Sequence, residues 1–208
     1  MNANTLRQTI AGPAGAIECA IDLSTGEPRG TAVVCHPHPQ HGGTMDNKVV
    51  QTLARAFVHL GWRSVRFNFR GVGASVGAWD DGMGEVDDAL AVIAAHRTAG
   101  EPFMLAGFSF GAYVASQAAA RLPDDAKPRR MVLVGPSTLR QQMADVPADT
   151  VVIHGEIDDV VPLAATLDWA RPLALPVIVF PGVGHFFHGQ LGVLKNWVVQ
   201  ELQPRMPL

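Results

Sequence analysis

The segment Gly107-Phe108-Ser109-Phe110-Gly111 has the pattern Gly-x-Ser-x-Gly and lies between an apolar run and an alanine-rich stretch. When a strand ends at such a pattern and turns directly into a helix, the serine hydroxyl is presented above the sheet. The positive end of that helix favours negative charge beside the hydroxyl. The pattern therefore predicts that Ser109 is a nucleophile. The alternative is an incidental serine in a glycine-rich turn.

A serine hydroxyl is a weak nucleophile at neutral pH, so it needs a general base that an acid holds in place. On a sheet with this kind of turn, the chain order is serine, then acid, then histidine. Asp158 follows the apolar run Thr150–Ile153, and His185 follows the run Val177–Phe180 in a glycine-rich segment. We therefore predict that Asp158 is the acid and His185 is the base.

Neighbouring residues offer alternatives to this assignment. Asp159 directly follows the predicted acid, and we expect it to cap the helix that begins near Pro162 or to remain solvated. Glu156 is the weaker alternative acid. His188 is expected to be a packing or hydrogen-bonding neighbour of the predicted base.

An acyl-transfer site also needs two backbone N–H donors for the oxyanion of the tetrahedral intermediate. One comes from the residue after the nucleophile, which is Phe110, and the other from the loop after an earlier strand. That loop, residues 35–43, reads Cys-His-Pro-His-Pro-Gln-His-Gly-Gly. Pro37 and Pro39 have no N–H, so the amide of His38 between them is the predicted second donor.

The same loop allows a metal hypothesis. His36, His38 and His41 are spaced like the ligand run of metallo-β-lactamase-like hydrolases. Gln40 stands where that run carries an aspartate ligand, and glutamine is a poor ligand. We therefore keep a metal-dependent hydrolase as an alternative and expect neither a metal nor an organic cofactor.

A glycine-rich segment, residues 71–77, raises the question of a dinucleotide site. Val76 stands where the Gly-x-Gly-x-x-Gly fingerprint needs its third glycine. The segment is instead predicted to be a loop at the rim of a pocket, pinned by Arg70.

Length and composition set the context for these motifs. The chain has 208 residues and a net charge of −3, with no basic stripe, which argues against nucleic acid or an anionic membrane as a partner. Cys19 and Cys35 are too few for a disulfide framework. Neither a secretory signal nor an apolar run of 18 residues is present. We expect one cytoplasmic domain, residues 1–208, that acts on a small molecule as a monomer or homodimer.

Short apolar runs alternate with helical patterns along the chain, which predicts a mostly parallel sheet with helices on both faces. The predicted strands are 31–35, 64–69, 102–106, 131–134, 150–153 and 177–180, with a weaker opening strand at 16–23. The predicted helices are 49–60, 86–93, 112–122, 163–170 and 191–202. Only about fifteen residues separate Val134 from Thr150, which leaves no room for a helical cap domain.

The stretches GFSFGA, HGEIDDVVP and GVGHFFHG together resemble the α/β-hydrolase superfamily. CHPHPQHGGTMDNKVV and FNFRGVGAS resemble its small, lid-less bacterial branch, related to dienelactone hydrolase-like and serine aminopeptidase-like proteins, and the resemblance spans residues 16–202. It implies the α/β-hydrolase fold without a cap and, residue by residue, the same triad and oxyanion donors. Many relatives carry glycine where Pro37 stands.

An uncapped site is expected to be open and shallow. Short-chain esters or thioesters of soluble compounds suit such a site better than long lipids. The expected activity is therefore that of a serine carboxylesterase working through an acyl-enzyme. Peptide hydrolysis and a non-catalytic binding protein of the same fold are the remaining alternatives.

Overall fold

The computed structural model describes residues 5–203, and they form an eight-stranded sheet with helices on both faces, as the sequence predicts. The strands are β1 (Thr5–Gly12), β2 (Gly15–Asp22), β3 (Thr31–Cys35), β4 (Arg63–Phe67), β5 (Phe103–Phe108), β6 (Arg130–Val134), β7 (Val151–Gly155) and β8 (Val177–Phe180). The helices are α1 (Lys48–His59), α2 (Met83–His96), α3 (Phe110–Arg121), α4 (Leu163–Ala170) and α5 (Leu191–Leu202).

The strand order across the sheet is β1-β2-β4-β3-β5-β6-β7-β8. The pairings from β4 to β8 are all parallel, whereas β1 with β2 and β2 with β4 are antiparallel. Because the carboxyl ends of parallel strands meet at one edge, the loops after β3, β4, β5, β6, β7 and β8 gather there. Ligands of open α/β sheets bind at this edge.

Strand β3 shows why the central strands read as continuous apolar runs. Val33 packs on one face of the sheet in a cluster that includes residues of α2 and α3. Ala32 and Val34 pack on the opposite face against residues of α1 and α5. A strand covered on both faces has no solvent side, so its residues do not alternate between apolar and polar.

The first strand of the sheet was missed. The sequence prediction opened the sheet at residues 16–23, but that strand, β2, is the second arm of a hairpin whose first arm is β1. Every residue of β1 is exposed or half-buried. A strand at the edge of a sheet needs no apolar run, and its polar composition gave no signal of a strand.

Two further features bear on the site. Residues 135–150, between β6 and β7, contain no helix, so no cap domain is inserted at that point. Among the helices of residues 5–203, none has the length and apolar character needed to cross a membrane.

Candidate active site

Ser109 lies at the sharp turn between β5 and α3. Its backbone has φ 56° and ψ −119°, a left-handed conformation that residues with a Cβ rarely adopt. A Cβ on Gly107 would lie 2.1 Å from the carbonyl oxygen of Gly111, and a Cβ on Gly111 would lie 2.3 Å from that of Cys35. Only glycine therefore allows β3, β5 and α3 to pack this closely, and this packing fixes the serine at the helix N-terminus.

A chain of hydrogen bonds joins Ser109, His185 and Asp158. The Oγ of Ser109 lies 3.0 Å from Nε2 of His185, and Nδ1 of His185 lies 2.6 Å from Oδ2 of Asp158. Ser109 is 7% exposed and His185 3% exposed. In this arrangement the ring donates from Nδ1 to the carboxylate, which leaves Nε2 free to accept the serine proton. The structure thus brings together the three side chains predicted as nucleophile, base and acid.

The carboxylate of Asp158 is stabilised in its ionised form. Burial raises its pKa, but the hydrogen bond from His185 and the amide of Val161 lower it more, so the net shift is downward. Oδ1 accepts from the amides of Val160 at 2.9 Å and Val161 at 2.8 Å. One oxygen is therefore held by the turn, and the other is left for the imidazole.

A second buried histidine lies behind this carboxylate, and the sequence analysis assigned it no role. Nε2 of His154, in β7, donates to the carbonyl of Val161 at 2.8 Å and lies 3.5 Å from Oδ2 of Asp158. Nδ1 lies 3.2 Å from Oγ1 of Thr166 on α4, so it accepts that hydroxyl proton. Burial lowers the pKa of His154, which favours the neutral ring. The signal that could have pointed to His154 was its position in a buried strand just before the predicted acid in the chain.

The loop after β3 is rigidly organised. The His38 carbonyl accepts from the amides of His41 at 3.1 Å and Gly43 at 3.0 Å. Within residues 5–203, the amides of His38 and Phe110 donate to no backbone carbonyl. The rings of these two residues are 5.1 Å apart. Both predicted oxyanion donors thus belong to neighbouring segments, and neither is used by the fold.

His36 has a structural role instead of a metal-binding one. Its Nδ1 donates to the Pro37 carbonyl at 2.6 Å, and its Nε2 accepts from the Phe69 amide at 3.1 Å, so both ring nitrogens are engaged. In the described part of the chain, no three His, Cys, Asp or Glu side chains are grouped closely enough to hold an ion. Within residues 5–203, the histidines of this loop are therefore not grouped as the metal hypothesis requires.

The residues weighed as alternatives have other positions. Asp159 is exposed, whereas Asp158 is buried. Oε2 of Glu156 accepts from the Gly182 amide at 2.7 Å and so ties the loop after β7 to the loop after β8. Arg70, which directly precedes the glycine-rich loop, forms a two-point ion pair with Asp88 on α2.

The aromatic residues near the turn divide between core and surface. Phe108, Phe110 and Phe187 are buried, whereas Phe186 is 44% exposed beside the His185 ring. Phe186 is therefore the aromatic side chain available to contact a ligand there. Cys19 and Cys35 are both buried and form no disulfide.

The sheet, the turn and the short β6–β7 loop are those of α/β serine hydrolases without a lid. One such solved hydrolase, from Xanthomonas campestris, is 38% identical to this chain, with a TM-score of 0.88 and coverage of 100% of this chain and 99% of that one. An α/β serine hydrolase homologue from Coxiella burnetii is 39% identical, with a TM-score of 0.84 and coverage of 95% and 97%.

The model of the serine aminopeptidase S33 family matches residues 26–148. The chain belongs to this family. An uncharacterized protein from Rickettsia prowazekii is 31% identical over 192 residues, which are 85% of this chain and 79% of that protein.

Proposed function

We propose that this serine hydrolase cleaves carboxylic esters or thioesters with short acyl chains, through an acyl-enzyme formed on Ser109. The observation that carries the proposal is the continuous hydrogen-bond chain from Asp158 through His185 to Ser109. Each of the three residues lies beyond the carboxyl end of a different parallel strand. Family membership supports the reaction class.

In the first half-reaction, Oγ of Ser109 attacks the substrate carbonyl carbon while Nε2 of His185 takes its proton. Asp158 holds the ring through Nδ1 and stabilises the imidazolium. The amides of His38 and Phe110 bind the carbonyl oxygen as it becomes an oxyanion. Loss of one such donor typically costs about 2.7–4 kcal/mol in transition-state stabilisation. The intermediate collapses when His185 gives its proton to the leaving alkoxide or thiolate.

In the second half-reaction, His185 takes a proton from water, and the resulting hydroxide attacks the acyl carbon. Collapse of the second tetrahedral intermediate breaks the bond to Oγ of Ser109, which recovers its proton from His185. The products are the free acid and the alcohol or thiol.

The preference for short-chain substrates follows from the surroundings of His185. A cleft of about 500 Å³ lies next to it, lined by Val160 and Phe186 among others. These two side chains supply an apolar contact sufficient for a few methylene groups. Residues 135–150 contribute no helical cover that would enclose a long chain.

Amide hydrolysis is the second candidate because the matching family model is described as a serine aminopeptidase. The same three side chains could protonate an amine leaving group. Parallel assays with 4-nitrophenyl butyrate and with aminoacyl 4-nitroanilides separate the two activities. If kcat/KM is larger for the anilides than for the ester, amide hydrolysis replaces ester hydrolysis as the proposed activity.

The deciding experiment is labelling with a fluorophosphonate probe, followed by peptide mapping. We expect one probe per chain, on Ser109, and loss of both labelling and ester turnover in Ser109→Ala. The matched control is Ser24→Ala, in the loop after β2, which should be labelled like the wild type. A folded wild-type protein that stays unlabelled, or a Ser109→Ala variant that retains turnover, would reject the proposal.

A further inference from the structure

A second cleft, larger than the one beside His185, lies next to the candidate active site on the side of His38. Its volume is about 650 Å³, within the range of roughly 300–1,000 Å³ typical of small-molecule sites. Such sites are usually lined mainly by apolar side chains. Polar side chains predominate in this one, and its lining includes His38, Gln40, Asp81, Gln117, Arg140 and Gln142. The lining indicates a polar ligand.

The cleft shares walls with the site around Ser109. Tyr113, which lines it, lies one helical turn after Ser109 on α3. The loop that carries Arg140 begins at Gly135, where an added Cβ would lie 3.3 Å from Cε1 of His185. A substrate with its carbonyl at Ser109 could therefore extend past His38 into this cleft.

Arg140 is the charge in the cleft that lacks a partner. Within residues 5–203, its guanidinium makes neither a hydrogen bond nor an ion pair, whereas Arg66 and Arg70 pair with buried carboxylates. Arg140 and His38 line the same cleft. Burial lowers the pKa of His38 most, and the charges of His41 and Arg140 lower it further. A planar guanidinium of this kind matches a carboxylate through two parallel hydrogen bonds.

Two further polar groups, His38 and Asp81, line the cleft. Nδ1 of His38 is buried and has no hydrogen-bond partner. An unpartnered buried polar atom is costly, so a ligand oxygen that bonds to it would be favoured. Asp81 supplies a negative charge, and its Oδ1 accepts from Nε1 of Trp79 at 3.0 Å. The charge of Asp81 repels an anionic ligand. Removing it should therefore have the opposite effect on anion binding to removing the charge of Arg140.

We infer that this cleft binds a carboxylate carried by the substrate, with Arg140 as its counter-ion. The inference rests on the proposed function and narrows it to esters or thioesters that carry a negative charge a few atoms from the reacting carbonyl. Arg140 is then a specificity residue, since it contacts the substrate and takes no part in the proton transfers.

The test compares two esters of matched length, monomethyl glutarate and methyl pentanoate, which differ in a terminal carboxylate or methyl group. The measured quantity is the ratio of their kcat/KM values, from methanol release. We expect the wild type to favour the glutarate ester and Arg140→Gln to lower the ratio by about tenfold. Arg140→Lys should restore part of it, and added salt should reduce the wild-type preference.

Two variants serve as controls for this ratio. Asp81→Asn keeps the acceptor for Trp79 and tolerates the positive φ of 50° at this position, and it should raise the ratio severalfold. Arg171→Gln removes an equally exposed positive charge that lies outside the cleft and pairs with Asp168, and it should leave the ratio unchanged. A ratio that is the same in wild type and Arg140→Gln overturns the inference.

A binding measurement keeps this inference separate from the proposed function. Monomethyl glutarate is titrated calorimetrically into Ser109→Ala and into the double variant Ser109→Ala, Arg140→Gln. Binding that needs Arg140 supports the carboxylate site even if the wild type hydrolyses neither ester. Absence of binding to Ser109→Ala overturns the inference. Failure of fluorophosphonate labelling, in contrast, counts only against the reaction.

Discussion

At the residue scale, Ser109 combines a reactive side chain with an unfavourable backbone. Its φ of 56° combined with a ψ of −119° is disfavoured for every residue except glycine, and such strain costs on the order of 1–3 kcal/mol. The surrounding packing of Gly107 and Gly111 enforces the conformation. The strained turn thus lowers the stability of the fold, and in return it holds the Ser109 hydroxyl above the sheet.

This strain leads to a stability prediction. Ser109→Gly should unfold at a higher urea concentration than Ser109→Ala, by an amount corresponding to about 1 kcal/mol, because glycine relieves the strain and alanine keeps it. Both variants should be inactive. Equal unfolding midpoints for the two variants would show that the turn is not strained.

Also at this scale, Asp158 was predicted as the acid and Asp159 as a capping or solvated residue, although the two share the same loop and chemistry. The difference between them is burial and direction: Asp158 receives two amides and the imidazole, whereas Asp159 faces solvent. Ser109 and His185 were predictable because each follows an apolar strand in the order that the glycine-flanked serine requires.

At the scale of elements, His154 connects β7, the turn of Asp158 and helix α4. Its ring donates to Val161 and accepts from Thr166, while its Nε2 is 3.5 Å from the carboxylate. We regard it as a positioning residue that fixes the turn presenting Asp158. No local pattern indicates such a role, because its partners come from three separate elements.

We predict that His154→Leu slows fluorophosphonate labelling of Ser109 by about tenfold, whereas His154→Gln, which keeps a donor, slows it less. Loss of the nearby ring should raise the pKa of Asp158, so labelling of His154→Leu should slow further relative to the wild type as the pH is lowered. A purely structural role would lower the rate equally at every pH, and the measured profile distinguishes the two cases.

The hairpin at the edge of the sheet and the cleft beside His38 were not predictable for a related reason. Strand β1 depends on pairing with β2 and not on its own apolar content. The cleft is built from residues that are far apart in the chain, among them Trp79 and Arg140. The central sheet was predictable because burial on both faces leaves continuous apolar runs.

At the scale of the whole molecule, buried neutral histidines make folding sensitive to acid. Burial lowers the pKa of His36 to about 3, more than its hydrogen bond to Pro37 raises it. Burial likewise lowers the pKa of His154 and of His96. In the unfolded chain these rings take a proton near pH 6.5. The unfolded state therefore binds more protons below that pH, and stability is lost as the pH falls.

The expected slope is about 1.4 kcal/mol of unfolding free energy per pH unit for each such histidine, between about pH 6.5 and the lowered pKa. Urea unfolding at intervals from pH 7.5 to 4.5 measures it. His36→Gln should be less stable than the wild type at neutral pH. Its unfolding free energy should depend less steeply on pH, because about one proton fewer is taken up on unfolding. His59→Gln, at an exposed position on α1, should keep the wild-type slope. An unchanged slope in His36→Gln would contradict the argument.

The absence of a helix between β6 and β7 has a chemical consequence for the proposed acyl-enzyme. A closed cap would dehydrate a bound ester and protect the intermediate from hydrolysis. Here the loop of residues 135–150 provides no such cover. An acyl group on Ser109 would meet bulk water, the most concentrated acceptor available, so added alcohols would compete for it poorly. We therefore expect the proposed acyl-enzyme to react with water in preference to transferring its acyl group to other alcohols.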